Sequence, residues 1–366
     1  MKKLLALALV LCASGALAQT AGPSPDRDKQ WNQLVADAKK EGTVVIVAPP
    51  DPQVRRAIPE AFKAKYGITV EYLGGRSSDT AARLRTERQS GVYTVDAALS
   101  GMLTMASIFY AEKMIDPIKP ILLDPDVTDG SKWKAGKLWF IDPEEKYILR
   151  LFSTRTPMFY LNTGNVKPDE IKTAQDLINP KFKGKIITAD PTLPGIGSSD
   201  SARFYVQFGE DYVKKLYIDQ QPMISRNRRQ IGDAVARGAF PIALGAEDEE
   251  MERLQKEGFP IKRVYSLSGL SDIVSPSVGH VAMFNNAPHP NAAKLFVNWI
   301  ASKEGLEVYS RARGGVPTRN DIDAAAYLPA EVIPEPGVEY FDSYSWEFVL
   351  STKEKIRLRM KELLGK

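Results

Sequence analysis

The chain has 366 residues, with 49 basic against 45 acidic side chains, a formal charge of +4, two histidines and one cysteine. A charge this near balance gives no global pull toward nucleic acid, and no basic run is long enough to act as a tail. A single cysteine excludes an internal disulfide framework and leaves no thiolate pair for a metal.

The amino terminus reads as an address. Lys2 and Lys3 precede an apolar run that begins at Leu4 and closes on Ala16-Leu17-Ala18. This is the pattern of a signal peptide over residues 1–18, with cleavage before Gln19. The run is shorter than the ~20 residues a spanning helix needs, so a membrane anchor is the lesser alternative. A lipid on Cys12 ranks lower again, because Cys12 follows Leu11 rather than a small residue. Cleavage removes the cysteine and lowers the formal charge to +2. A long exported chain without disulfides must rest on its hydrophobic core.

Residues 19–30 form a short leader rich in Pro, Gly and Asp. Apolar spacing at Trp31, Leu34, Val35 and Ala38 predicts a helix that Gly42 ends. TVVIVA at Thr43–Ala48 predicts a buried strand, stopped by Pro49-Pro50. A helix follows over 55–66, a strand over 68–73, a helix over 78–89 and a strand over 95–99. After an interlude come a strand at 185–188, a helix at 199–208, a helix at 231–237, a strand at 241–244, a strand at 278–285 and a helix at 291–300. Short apolar strands alternating with helices argue an α/β protein with parallel, doubly wound sheets. Two lobes fit better than one sheet of this length. The stretches 147–161 and 274–281 are the candidate crossovers, giving a first lobe of 26–150 with 275–320 and a second of 151–274 with 321–366.

Two loops point to an anion. Gly74-Gly75-Arg76-Ser77-Ser78-Asp79 joins a strand to a helix, and Ser77, Ser78 or Asp79 can cap that helix. The remaining N–H groups and the helix dipole favour negative charge, and Arg76 can add a bidentate clamp. The alternative is an ordinary capped helix with a solvated Arg76. The second loop runs through Gly195, Gly197, Ser198 and Ser199 into the next helix. It lacks the Lys-Ser/Thr ending of a nucleotide loop. Facing each other, the two helix starts would clamp one anion. Of the arginines in Arg226-Asn227-Arg228-Arg229, Arg229 is the candidate for a cleft position, and the rest read as a solvated turn. Glu247 follows a strand and can reach a cleft, while Asp248, Glu249 and Glu250 suit a helix start. His280 and His289 have no ligand partner at metal spacing, and no catalytic motif of the GxSxG or HExxH type occurs.

These segments carry a family resemblance. FKAKYGITV at Phe62–Val70, GGRSSDTAARLRTE from Gly74, VDAALSG at Val95–Gly101, LINPKFKGKI at Leu177–Ile186, and APHPNAAKLF with SKEG between Ala287 and Gly305 resemble periplasmic extracellular solute-binding proteins. The branch is the one that contains ferric-iron and phosphate-ester binders, and the likeness spans roughly residues 40–320. The resemblance implies a two-lobed, hinge-linked periplasmic-binding-protein fold of type II, closing on a small-molecule solute and delivering it to the membrane permease of an ATP-driven importer. It implies a monomer with no cofactor, no metal and no catalytic residue. It also sets Asp51 near the position of the iron binders' first-lobe histidine, Gly101 near their first-lobe acid, and Glu247 and Asp248 where their paired tyrosines stand. No two tyrosines are adjacent here. A small anionic or zwitterionic organic solute is therefore the leading expectation, ferric iron the alternative, and an exported hydrolase the alternative from another class.

The address yields a first test. The exported protein is expected to begin at Gln19 on amino-terminal sequencing. An intact Met1 on a membrane-bound product would contradict the cleavage.

Overall fold

The computed structural model describes residues 25–366. The proposed signal segment and its cleavage point lie outside the described residues. The structure is α/β, built on two larger sheets joined by a small third one.

The first sheet runs in the order Thr69–Gly74, Thr43–Ala48, Ala97–Ser100, His280–Phe284, Ile115–Asp116, with Leu149–Arg150 also on His280–Phe284. Its interior strand TVVIVA, between Thr69–Gly74 and Ala97–Ser100, is buried on both faces after Thr43, as helices on both sides of a sheet require. The first three strands are parallel, but His280–Phe284 runs antiparallel to Ala97–Ser100. The expectation of purely parallel sheets is thus corrected to mixed ones. The physical reason is that His280–Phe284 returns from the other half of the molecule and enters this sheet from the opposite end.

The helices Pro25–Glu41, Pro52–Tyr66, Pro290–Ala301 and Lys303–Arg313 cover one face. Phe62 sits centrally there, its ring 5.2 Å from Trp299 and 5.5 Å from Phe296. The helix Ser77–Gln89 and the turns over residues 102–110 cover the other face. Pro52–Tyr66 begins on an Asp51 cap and ends at Gly67, whose φ of 74° lets its N–H return to the Lys63 carbonyl.

The second sheet runs Ile261–Val264, Phe159–Asn162, Ile242–Leu244, Ile186–Ala189, Met223–Ser225. Phe159–Asn162 is its antiparallel member, against Ile242–Leu244 and Ile261–Val264. The helix Ile196–Lys214 packs on it with a kink at Gly209, where φ is 78°.

The two stretches read as crossovers each contribute a strand to the third sheet. Thr154–Thr156 pairs antiparallel with Ile273–Ser275, and Phe341–Asp342 adds to the other side of Ile273–Ser275. Beyond Asp342 the chain touches both halves. Trp346 meets Tyr110 edge to face at 5.1 Å. The helix Lys353–Leu363 then lies on Ile196–Lys214, where Arg359 grips both oxygens of Glu210 at 2.9 Å.

Asp96 holds the first sheet to its covering helix. The carboxylate is fully buried and accepts from Val45 N at 2.7 Å and from His289 N at 2.7 Å, and it faces His289 Nδ1 at 2.9 Å. His289 therefore has a structural task. Burial pushes the Asp96 carboxyl upward, against these bonds. Asp96→Ala would leave one buried and one half-buried N–H group without an acceptor and is expected to lower unfolding free energy by roughly 2–5 kcal/mol, read by denaturant titration. A loss below about 0.5 kcal/mol would contradict this role.

Candidate functional site

In the first sheet, the carboxyl ends of the parallel strands and the amino end of the returning strand meet at one edge. This follows from the registers Val47↔Ala98 and Ser100↔His280. In open α/β sheets, ligands bind outside the carboxyl ends of the strands. Asp51 stands at this edge. Its Oδ1 accepts from Gln53 N and Val54 N, and its Oδ2 lies 3.6 Å from Arg313 Nη1. Arg313 Nη2 reaches Ser277 Oγ at 3.5 Å, and the Ser277 carbonyl lies beside Gly101. The structure thus brings Asp51 and Gly101 together with Ser277 and Arg313.

Ser77 accepts a hydrogen bond from Ser100 Oγ at 2.9 Å and helps line a small cavity with Gly75, Thr80 and Ser100. Ser78 lies in the first turn of the same helix. The helix boundary falls at Arg76, which caps with no side-chain bond, so the expected serine or aspartate cap is corrected. Arg76 itself turns outward, 79% exposed, with Nε 2.9 Å from Asp79 Oδ2. It is not brought to the Asp51 group.

On the second sheet, the helix starting at Ile196 sets its amino end against the strand ends. Gly197 packs so closely on the Ala189 and Asp190 carbonyls that a Cβ would lie 2.6 Å from an oxygen. Ser198 is buried and its hydroxyl bonds back to Gly195, donating to the carbonyl at 2.9 Å. Gly195 is exposed at the helix cap. Ser198 is thus used in capping. Arg229 is exposed on its own helix, and Arg226 instead meets Asp190 at 3.0 Å. That contact and the Thr192 bonds overcome the effect of burial and hold the Asp190 carboxyl down at about 2. Glu247 caps the Asp248–Lys256 helix without a side-chain cap bond and is half-buried.

Several residues at the meeting of the two halves were not singled out by sequence. Asp200 lies one turn into the Ile196–Lys214 helix, beside Gly245, whose φ of 63° turns the chain from strand to Glu247. Burial pushes the Asp200 carboxyl up to about 6, opposed by the charge of Arg203 and by the Gly245 N–H. Arg203 is buried 3.9 Å away. Tyr344 packs on the core of the second half beside the small sheet. Burial raises its phenol pKa, a Ser275 hydrogen bond opposes the shift, and the nearby charges of Glu247, Asp200 and Asp342 add to it. Asp342 in turn binds Arg150 of the first sheet at 2.6 Å. One signal was legible: Arg150 is a lone charge in the apolar run YILRLF. Asp200 and Tyr344 carry no such mark. Among the described residues no group of three or more His, Cys, Asp or Glu is placed to hold a metal ion.

A family profile described as bacterial extracellular solute-binding protein matches residues 57–336. Iron uptake protein A1 of a Synechocystis strain is 23% identical over 258 residues, covering 66% of each chain. A structure of the Trichodesmium protein IdiA (FutA) with iron and citrate matches with a TM-score of 0.63 at 19% identity, covering 88% of this chain and 98% of the other. The periplasmic binding protein AfuA of Actinobacillus pleuropneumoniae, with fructose-6-phosphate bound, matches at 0.58 and 20% identity, again over 88% and 98%. Ferric-iron-binding proteins recur among the similar solved structures. At these identities the structural likenesses establish the fold.

The Asp200 shift has a measurable sign. An acid whose folded pKa of about 6 lies above its unfolded value penalises folding when ionised. The penalty is complete above pH 6 and vanishes below the unfolded pKa. Asp200→Asn, which mimics the neutral acid, should therefore gain on wild type by roughly 1–3 kcal/mol of unfolding free energy between pH 4 and pH 7.5. Parallel denaturation curves of the two proteins at both pH values would contradict the shift.

Proposed function

This chain belongs to the bacterial extracellular solute-binding proteins, and from that premise we propose that it captures a small zwitterionic or anionic organic solute between its two lobes. As a periplasmic component of an ABC import system, it is a binding protein and not an enzyme. We further propose that it works as a monomer and hands its solute to the membrane permease after closing about the three-stranded sheet. Contacts from a solute to both lobes would favour the closed state.

The observation that supports this cargo is the distribution of charge around Tyr344. Asp200 and Glu247 approach it from the second half, and Arg150 from the first. An acid pair on one side and a buried guanidinium on the other suit a solute that carries both signs. Asp51, Ser77, Gly101 and Arg313 form the neighbouring polar rim. In this reading Gly195, Gly197, Ser198 and Ser78 build the helix starts, and Arg76 and Arg229 stand at the periphery.

Ferric iron is the second reading. The iron-binding proteins among the similar structures favour it, and they weigh more heavily there than organic-solute binders do. Against it stand the lack of adjacent tyrosines and of a three-ligand group among the described residues.

A thermal-shift panel separates the two. Amino acids, aminophosphonates and sugar phosphates would be set against ferric iron with and without citrate. Binding at a hundredfold excess over Kd adds about 2.7 kcal/mol of stability, a readily visible shift in Tm. A response to organic zwitterions or anions is expected. A response confined to iron would transfer the proposal to the second reading.

A further inference from the structure

Cross-strand partners in a sheet point to the same face. Ser100, His280 and Arg150 are direct partners on three adjacent strands, so their side chains form one polar row at the edge where the lobes meet. All three are buried. Ser100 is satisfied by Ser77. Arg150 is fixed on three sides: Nε donates to the Phe152 carbonyl at 2.9 Å, Nη1 donates to Asp342 at 2.6 Å, and the guanidinium lies 4.2 Å over the Trp139 ring. Its Nη2 has no hydrogen-bond partner in the protein, and neither have the two ring nitrogens of His280. Burial and the Arg150 charge drive His280 down to about 3, against an opposing pull from the Ser100 backbone. The ring is therefore neutral, with one N–H donor and one acceptor. Leaving such groups without partners costs about 1–3 kcal/mol each, and more for a charge.

We infer that Arg150 Nη2 and His280 form a preorganised subsite for one oxyanion head of the solute, a phosphoryl or carboxyl group. This rests on the proposed function and assigns one end of the solute: the oxyanion lies at Arg150 and His280, Tyr344 flanks it, and a basic group faces Asp200 and Glu247. Asp342 already balances the single charge of Arg150, so the subsite selects by hydrogen bonding and suits a monoanion better than a dianion. Phosphoryl monoanions also carry a hydroxyl that can donate to the imidazole acceptor, which a carboxylate cannot do.

The chain has only two histidines, so imidazole NMR reads the subsite directly. Ring-labelled wild-type protein would be titrated with inorganic phosphate and with acetate at constant ionic strength, with chloride as control; His289→Gln assigns the signals. The expected result is a saturable shift of His280 with phosphate, a weaker one with acetate and none with chloride, while His289 stays still. Arg150→Gln should weaken the phosphate response roughly 10- to 150-fold, the range set by one charge-assisted hydrogen bond. Arg150→Lys, which keeps the charge beside Asp342, should retain part of it and guards against a folding defect in the glutamine variant. A His280 signal that responds to neither anion, or equally to chloride, overturns the subsite. If organic solutes still raise Tm in that case, the proposed function survives without it. If phosphate moves His280 but no organic solute stabilises the protein, the subsite stands and the proposed cargo falls.

Discussion

A chain that passes three times between two separate sheets must pair its backbone N–H and C=O groups on the way. The three-stranded sheet of Thr154–Thr156, Ile273–Ser275 and Phe341–Asp342 is how this chain does so. An unpaired buried backbone group is as costly as a lost hydrogen bond, so these strands fix where the halves meet. They also fix what lies nearby. Ser275 ends one strand beside Tyr344, and Asp342 ends another on Arg150. Arg155, within Thr154–Thr156, binds Asp272 at 2.7 Å at the foot of its neighbour. The polar residues of the junction are positioned by backbone pairing before any solute contact is made.

Burial gives these charges their chemistry. Arg150, Arg203 and His280 are all withdrawn from water. In such surroundings an ionised group is costly unless paired, and the response differs by residue. Arg150 keeps its charge through Asp342. His280 gives up its proton. Asp200 keeps a raised pKa beside Arg203. On the exposed surface, by contrast, Arg76 with Asp79 or Lys256 with Glu252 contribute little to stability, because solvent screens such pairs. The distinction decides which arginines can recognise a solute.

Most of the regular structure was legible in the sequence, and the reasons are local. TVVIVA can only be a strand buried on both faces. Gly42, Gly67 and Pro49-Pro50 punctuate helices and strands through backbone sterics alone. What local rules could not give was strand direction. His280–Phe284 and Phe159–Asn162 have the same apolar pattern as their parallel neighbours, yet they run against them, since direction depends on the route of the chain between lobes.

The sequence by itself determined the α/β class and the existence of the helices over 55–66, 78–89 and 199–208, because apolar periodicity acts over a few residues; their starts at Pro52, Ser77 and Ile196 were set by the structure. Strand-end position also marked Ser77 and Glu247, while Asp51 and Gly101 were marked through the family resemblance. Only the tertiary structure decided which polar groups share a place. Arg76 and Arg150 are both arginines near strand ends. One reaches water and Asp79, while the other is locked against the nearby Trp139 ring and held by Asp342 from far away in the chain. Tyr344 and Asp200 become neighbours through a carboxy-terminal segment that returns across the junction. Such contacts arise from chain crossings, and no spacing along the sequence encodes them.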